Sequence, residues 1–120
     1  MEIKINPKDQ KQLARKFKEL LRVDNAEAHR ILNEESRAIS SNAQKDSPID
    51  TGNLRRNIGY DYRRDKKEAI IYAKAPYSGY LEYGTRFQPA QPYFEPNVNK
   101  GIKRIIRRFE IALKNALNKS

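Results

Sequence analysis

Apolar residues recur along this chain in two rhythms. Leu13, Phe17, Leu20 and Leu21 fall at helical spacing with Lys and Arg between them, and Pro7 and Asp9 suit a helix start just before them. Val23-Asp24-Asn25 reads as a break, and Asp24 or Asn25 has a side-chain oxygen that can cap a following helix. The second helix carries a thin stripe of Ala28, Ile31, Leu32, Ile39 and Ala43, interrupted by Glu35 and Ser36, and runs to about Lys45. Asp46-Ser47-Pro48 stops it, because the residue before a proline disfavours helical backbone. The same spacing also fits one bent helix through both segments.

After the connector over 48–57 the rhythm changes to two. Ile58, Tyr60 and Tyr62 alternate with Gly59 and Asp61, Arg63 to Lys67 is polar, and Ala69 to Ala75 is β-prone. That is a hairpin, with Ile70 and Tyr72 on one face of its second strand and Ala69, Ile71 and Ala73 on the other. Pro76 ends the strand. Tyr77 to Gly84 predicts one or two helical turns and Arg86 to Pro92 a loop, with room for an extra strand between Arg86 and Phe94. Val98, Ile102, Ile105, Phe109, Ala112, Leu113, Ala116 and Leu117 then trace one stripe of a long helix from about Glu95 to Leu117, weakened near its start by Gly101.

The order helix, helix, hairpin, aromatic segment, helix predicts an α+β fold, a small antiparallel sheet packed against N-terminal helices and a long C-terminal helix. The length of 120 residues suits one domain, read as a helical part over 1–47, a hairpin and motif core over 48–94 and a basic helix over 95–120. Met1 to Gln12 is polar and does not resemble a signal peptide, and no apolar run is long enough to span a membrane.

Charge adds one feature. The net charge is +10, and residues 100–120 hold seven basic groups against the single acid Glu110. Lys103, Arg104, Arg107 and Arg108 are therefore the candidate DNA-facing residues for a non-specific contact, although solvation or an acidic protein partner is the favoured reading, since charge alone is not specific.

The inventory for catalysis is poor. There is no Cys, His29 is the single His, and it stands alone on a helix, which predicts a surface or packing role. Glu34 and Glu35 are adjacent and splay apart on a helix, so they read as a solvated face rather than a metal site. The glycines are too scattered to cradle a phosphate. No catalytic residue, metal site or cofactor is predicted. Asp50-Thr51-Gly52 reads as a turn that docks Leu54, because Asp and Thr oxygens bond nearby backbone N–H groups and Gly admits unusual backbone angles. Three Tyr residues crowd Ala75 to Thr85, where Glu82 sits among apolar neighbours and calls for a fixed partner, a backbone N–H or an Arg.

Four segments occur in order: Asp50-Thr51-Gly52-Asn53-Leu54-Arg55, Ala75-Pro76-Tyr77, Tyr80-Leu81-Glu82-Tyr83-Gly84-Thr85, and Gln91-Pro92-Tyr93-Phe94 followed by Glu95-Pro96. Over about 44–98 this pattern resembles the tailed-phage tail-component family typified by gene product ten of coliphage Hong Kong 97, with Asn57 where a small or hydroxyl residue is usual. The resemblance implies a non-enzymatic virion protein at the head–tail junction or tail end, made in the bacterial host cytoplasm. It implies a tail-completion or head–tail joining component that forms a homo-oligomeric ring with other phage head–tail or tail proteins, the isolated chain being able to remain a monomer. It gives Asp50, Thr51, Gly52, Leu54, Pro76, Tyr77, Glu82, Tyr83, Gly84, Thr85, Pro92 and Phe94 shape-determining roles.

A ring subunit needs two unlike surfaces, since head-to-tail contacts close by rotation. Tyr80, Tyr83, Arg86, Phe87, Gln88 and Gln91 are the candidate subunit interface. The alternative is an independent nucleic-acid-binding module that uses the basic helix and exposed Tyr rings. A small hydrolase built on His29 has the least support.

Overall fold

The computed structural model describes residues 1–6, 10–48 and 53–118. Its elements are β1 (Glu2–Ile5), α1 (Lys11–Val23), α2 (Asn25–Asp46), α3 (Asn53–Arg56), β2 (Ile58–Arg63), β3 (Glu68–Ala73), α4 (Ser78–Tyr83) and α5 (Glu95–Asn118). This is the expected α+β arrangement, with three antiparallel strands in the order β1-β3-β2 and a long C-terminal helix.

The third strand is a correction. It comes from Glu2–Ile5, not from the stretch between Arg86 and Phe94, which has turns and no strand. Ile3 and Ile5 alternate with Glu2 and Lys4, a period-two pattern too short to stand out beside the helix that follows. Register then sorts the sheet faces. Ile5 pairs with Ala69 and Ala69 with Tyr62; Ile3 pairs with Ile71 and Ile71 with Tyr60; Ala73 pairs with Ile58. These residues join the helices in one core.

Asp24 performs both tasks at the first helix boundary, so the two helices do not fuse. Its backbone N–H closes α1 on the Leu20 carbonyl at 2.7 Å, and its Oδ1 accepts the Glu27 N–H at 3.1 Å. Gln10, whose Oε1 accepts the Leu13 N–H, caps α1. The expected start at Pro7 and Asp9 lies outside the described residues.

α2 lies between two partners, which is why its stripe reads as thin. Gln44 Nε2 donates to the Ile58 carbonyl at 2.8 Å and His29 meets Tyr62, so one side faces the sheet. Glu35 meets Arg104 and Ile39 meets Gly101, so the other faces α5. A helix packed on two partners buries a wide arc, here including His29, Glu35, Ser36 and Ser40, so its apolar stripe is thin, while Arg30, Asn33 and Arg37 keep one face in solvent. Ser36 fits there because its hydroxyl donates to the Leu32 carbonyl at 2.7 Å.

Gly101, a weak point on propensity, is where α5 leaves room for the Ile39 side chain of α2. A Cβ there would stand 2.2 Å from the Ile39 side chain. Gly101→Ala is expected to lower stability by about 1–2 kcal/mol, because overpacking outweighs the helix-propensity gain. Urea unfolding of the variant alone and with Ile39→Ala checks this: the double variant should recover part of the loss that the two single changes would sum to.

α2 and α5 run antiparallel. Asn97, near the start of α5, donates to Asp46 Oδ2 at the end of α2 and to the Tyr93 carbonyl, at 2.9 and 2.7 Å. The molecule measures 58 × 22 × 21 Å with a radius of gyration of 16.0 Å, against about 14 Å for a compact chain of this length. Its two ends are therefore far apart.

Candidate functional site

The motif segments of the sequence are joined to one another by hydrogen bonds from side chains. Asn53, the first residue of α3, donates from Nδ2 to the Tyr77 hydroxyl at 3.0 Å, and Leu54 beside it is fully buried. This links the first segment to the second. Asp50, Thr51 and Gly52 lie outside the described residues, so their expected turn has no structural account.

Glu82 links the second segment to the last. Its side chain is buried in α4, where Oε1 accepts the N–H groups of Tyr93 and Phe94 at 2.9 Å each and Oε2 accepts that of Glu95 at 2.8 Å. The first N–H groups of a helix have no partner within it and form its positive end. Of the three donors only Glu95 belongs to α5, so this carboxylate from another element holds the two residues that lead into the helix together with its first N–H group. Of the two partners expected for Glu82, backbone N–H groups supply all three bonds. Phe94 and Tyr93 are buried directly behind them.

Between these fixed points the chain makes a short outward loop. The Gln91 N–H donates to the Leu81 carbonyl at 2.7 Å, closing its base. Gly84 has φ +79, a backbone region that favours glycine, and a Cβ there would stand 2.8 Å from the Ala90 nitrogen. Thr85 Oγ1 accepts the N–H groups of Phe87 and Gln88 at 3.1 Å, and the Thr85 N–H donates to the Gln88 carbonyl at 2.9 Å. The tip is therefore shaped by its own hydrogen bonds rather than by packing.

The loop and the last turn of α4 before it display three large rings. Phe87 is 83% exposed, Tyr80 67% and Tyr83 61%. Arg86 lies over the Phe87 ring with its Cζ 5.0 Å from the centroid. The Tyr83 hydroxyl donates to Glu95 Oε1, and that bond raises the phenol's pKa above its ordinary value. Gln88 and Gln91 are exposed, as are Pro76 and Pro92. All six residues of the candidate interface thus reach the surface at one end. Large aromatic rings left in water around an ordered loop are what a protein contact surface requires.

The four candidate DNA-facing residues do not act together. Lys103 and Arg107 are exposed. Arg104 turns to α2, its Nε 3.3 Å from Glu35 Oε1, and Arg108 Nη2 lies 3.2 Å from Glu34 Oε2 and its Nη1 4.0 Å from Glu35 Oε2. Glu35 is consequently buried beside α5 and not part of a solvated face. Glu34 is exposed, and its carboxyl is held below the usual range chiefly by the hydrogen bond from Arg108.

His29 is buried, with its Nδ1 against the Tyr62 hydroxyl and its ring edge-on to Phe17 at 6.0 Å. Burial lowers its pKa below the ordinary value, and Arg64 and Lys67 lower it further. That is a packing role. Among the described residues no group of His, Asp and Glu is placed to hold a metal ion, and no helix is long and apolar enough to cross a membrane.

The molecule is thus an elongated α+β protein with exposed aromatic side chains on and beside a hydrogen-bonded loop. Residues 11–84 match the family model described as "Bacteriophage HK97-gp10, putative tail-component", and the chain belongs to that family. Membership assigns a phage structural role and a place in the virion. The matched span runs from α1 to Gly84, so the loop tip and α5 lie beyond it. No curated protein and no solved structure matches the chain.

Proposed function

We propose that this protein is a non-enzymatic tail-completion or head–tail joining component that assembles into a ring through protein–protein contacts of the Tyr80–Gln91 loop. The observation that carries this is the contrast within the loop: its base is fixed by Glu82, Gly84 and Gln91, while Tyr80, Tyr83 and Phe87 are left exposed. A loop ordered before binding keeps the entropic cost of association low, and exposed aromatic residues are typical anchors of a contact. Nucleic-acid binding draws less support, because Arg104 and Arg108 are engaged by Glu35 and Glu34.

Tyr80→Asp and Phe87→Asp test the proposal. Both side chains are mostly in solvent, so circular dichroism and the melting midpoint should stay unchanged. Self-association measured by sedimentation velocity should weaken about a hundredfold, with a matching fall in infectious particles on complementation. Wild-type association and particle yield from both variants would overturn the reading.

A further inference from the structure

α1 has two unlike sides. Leu13, Phe17 and Leu20 are buried on one. On the other stand Lys11, Arg15, Lys18 and Arg22, all exposed. Steps of four, three and four residues keep these cations within an arc of about 60° and set them in a row roughly 16 Å long. Among the described residues no acid holds any of their side chains. Glu19, the one acid of α1, is exposed at the border of the row, and Asp24 is engaged in capping α2.

The turn between β2 and β3 extends this surface. Arg64 Nη2 donates to Asn25 Oδ1 at 3.3 Å, which seats the turn against the start of α2, just beyond Arg22. Arg64, Lys66 and Lys67 are exposed there, with Asp65 between them. The field of Arg64 and Lys67 reaches as far as His29 on the next turn of α2.

We propose that α1 and this turn form a contact for the phosphate backbone of double-stranded DNA, made without reading its sequence. The contact does not depend on the ring reading.

Composition separates a phosphate contact from a protein contact. The centres of protein interfaces are poor in Lys and anchor on aromatic or Met side chains. This row has no apolar member, and Val23, exposed at the end of α1, lies outside its arc. Lys and Arg in a line are the side chains that phosphate oxygens take. The lack of rings also separates a duplex from a single strand, because single strands are held by stacking bases on aromatic side chains. A duplex carries one charge for about every 1.7 Å of its axis, so it offers a phosphate to each member of a rigid row. On α5, Arg104 and Arg108 are taken by Glu35 and Glu34. Lys103 and Arg107 are exposed there, but Glu110 and the exposed Ile111 follow before the next cation, Lys114. They provide the control.

Arg15→Gln with Lys18→Gln removes two charges from the row, and Lys103→Gln with Arg107→Gln removes two from α5. All four positions are exposed and Gln is a good helix former, so both melting midpoints should match the wild type. Fluorescence anisotropy with a random-sequence DNA duplex, titrated with salt, reads the contact. The α1 pair should weaken binding about tenfold and reduce the salt slope by about 2, while the α5 pair changes little. A single-stranded oligonucleotide of the same length should bind more weakly than the duplex. Equal losses from the two pairs would show attraction by net charge alone and overturn the site. Tighter binding of the single strand would overturn it as well. So would a wild-type protein that fails to bind the duplex at about 50 mM salt; a fall in infectious particles from the α1 pair would then assign the row to an acidic protein surface.

Discussion

Glu82→Ala is expected to lower stability by about 3–5 kcal/mol, far more than deleting a single ordinary hydrogen bond. The wild-type carboxylate satisfies three N–H groups, on Tyr93, Phe94 and Glu95. Removing it leaves donors buried without partners, and each such group costs about 1–3 kcal/mol. Glu82→Gln is the informative control. Its amide oxygen can replace Oε1 toward Tyr93 and Phe94, but its NH₂ group then faces the Glu95 N–H, donor against donor. The expected loss is about half that of the alanine change. Urea unfolding gives both values. The variants should also separate the loop from the core: the Tyr80–Gln91 loop of Glu82→Ala should become a site of limited proteolysis, because the bonds that fix its base to α5 are gone. Wild-type stability in Glu82→Ala would show that water replaces the carboxylate without cost, and the loop would then need another explanation for its order.

The reason this bond was half legible in the sequence is instructive. A charged side chain among Tyr, Leu and Gly predicts a fixed partner by desolvation alone. Which partner it takes depends on how α4 turns back on the start of α5, and no local pattern encodes that. The same division runs through the fold. The stripe on α5 and the alternation in β2 were readable because each turns one face to the core, and β3 was readable as a continuous β-prone run because it is the central strand, buried on both faces. α2 was only partly readable because it buries two, and Glu35 looked solvated because its partner Arg104 lies 69 positions away. β1 escaped notice because four residues give two turns of alternation and no more. Gly101 looked like a defect of a helix and is instead the point where Ile39 packs. For the candidate interface, the clustered Tyr residues and the proline-flanked loop were legible, whereas the bond from the Gln91 N–H to the Leu81 carbonyl that closes the loop exists only once the chain has turned back.

Phe17→Ala is the second large expected loss, about 3–5 kcal/mol. Phe17 is the junction of an aromatic column that ties the layers together. It stacks on Phe109 of α5 at 5.4 Å, meets the His29 ring of α2 edge-on at 6.0 Å, and His29 in turn meets Tyr62 of β2 at 5.9 Å. Truncation opens a cavity that three elements border and none can fill without moving. The variant also has a signature that a generic core lesion lacks. His29 has a lowered pKa in the folded protein, mainly through burial. The folded state therefore binds fewer protons than the unfolded one as pH falls, so the wild-type protein has its full stability from this group above the ordinary value of 6.5 and loses it as pH drops below. Removing the ring that shields His29 admits water, moves its pKa back up toward 6.5 and flattens that slope. Urea unfolding as a function of pH, with His29 followed by NMR, measures both effects on one sample. A large loss of stability with an unchanged His29 titration would mean that Phe17 fills space but does not keep His29 dry.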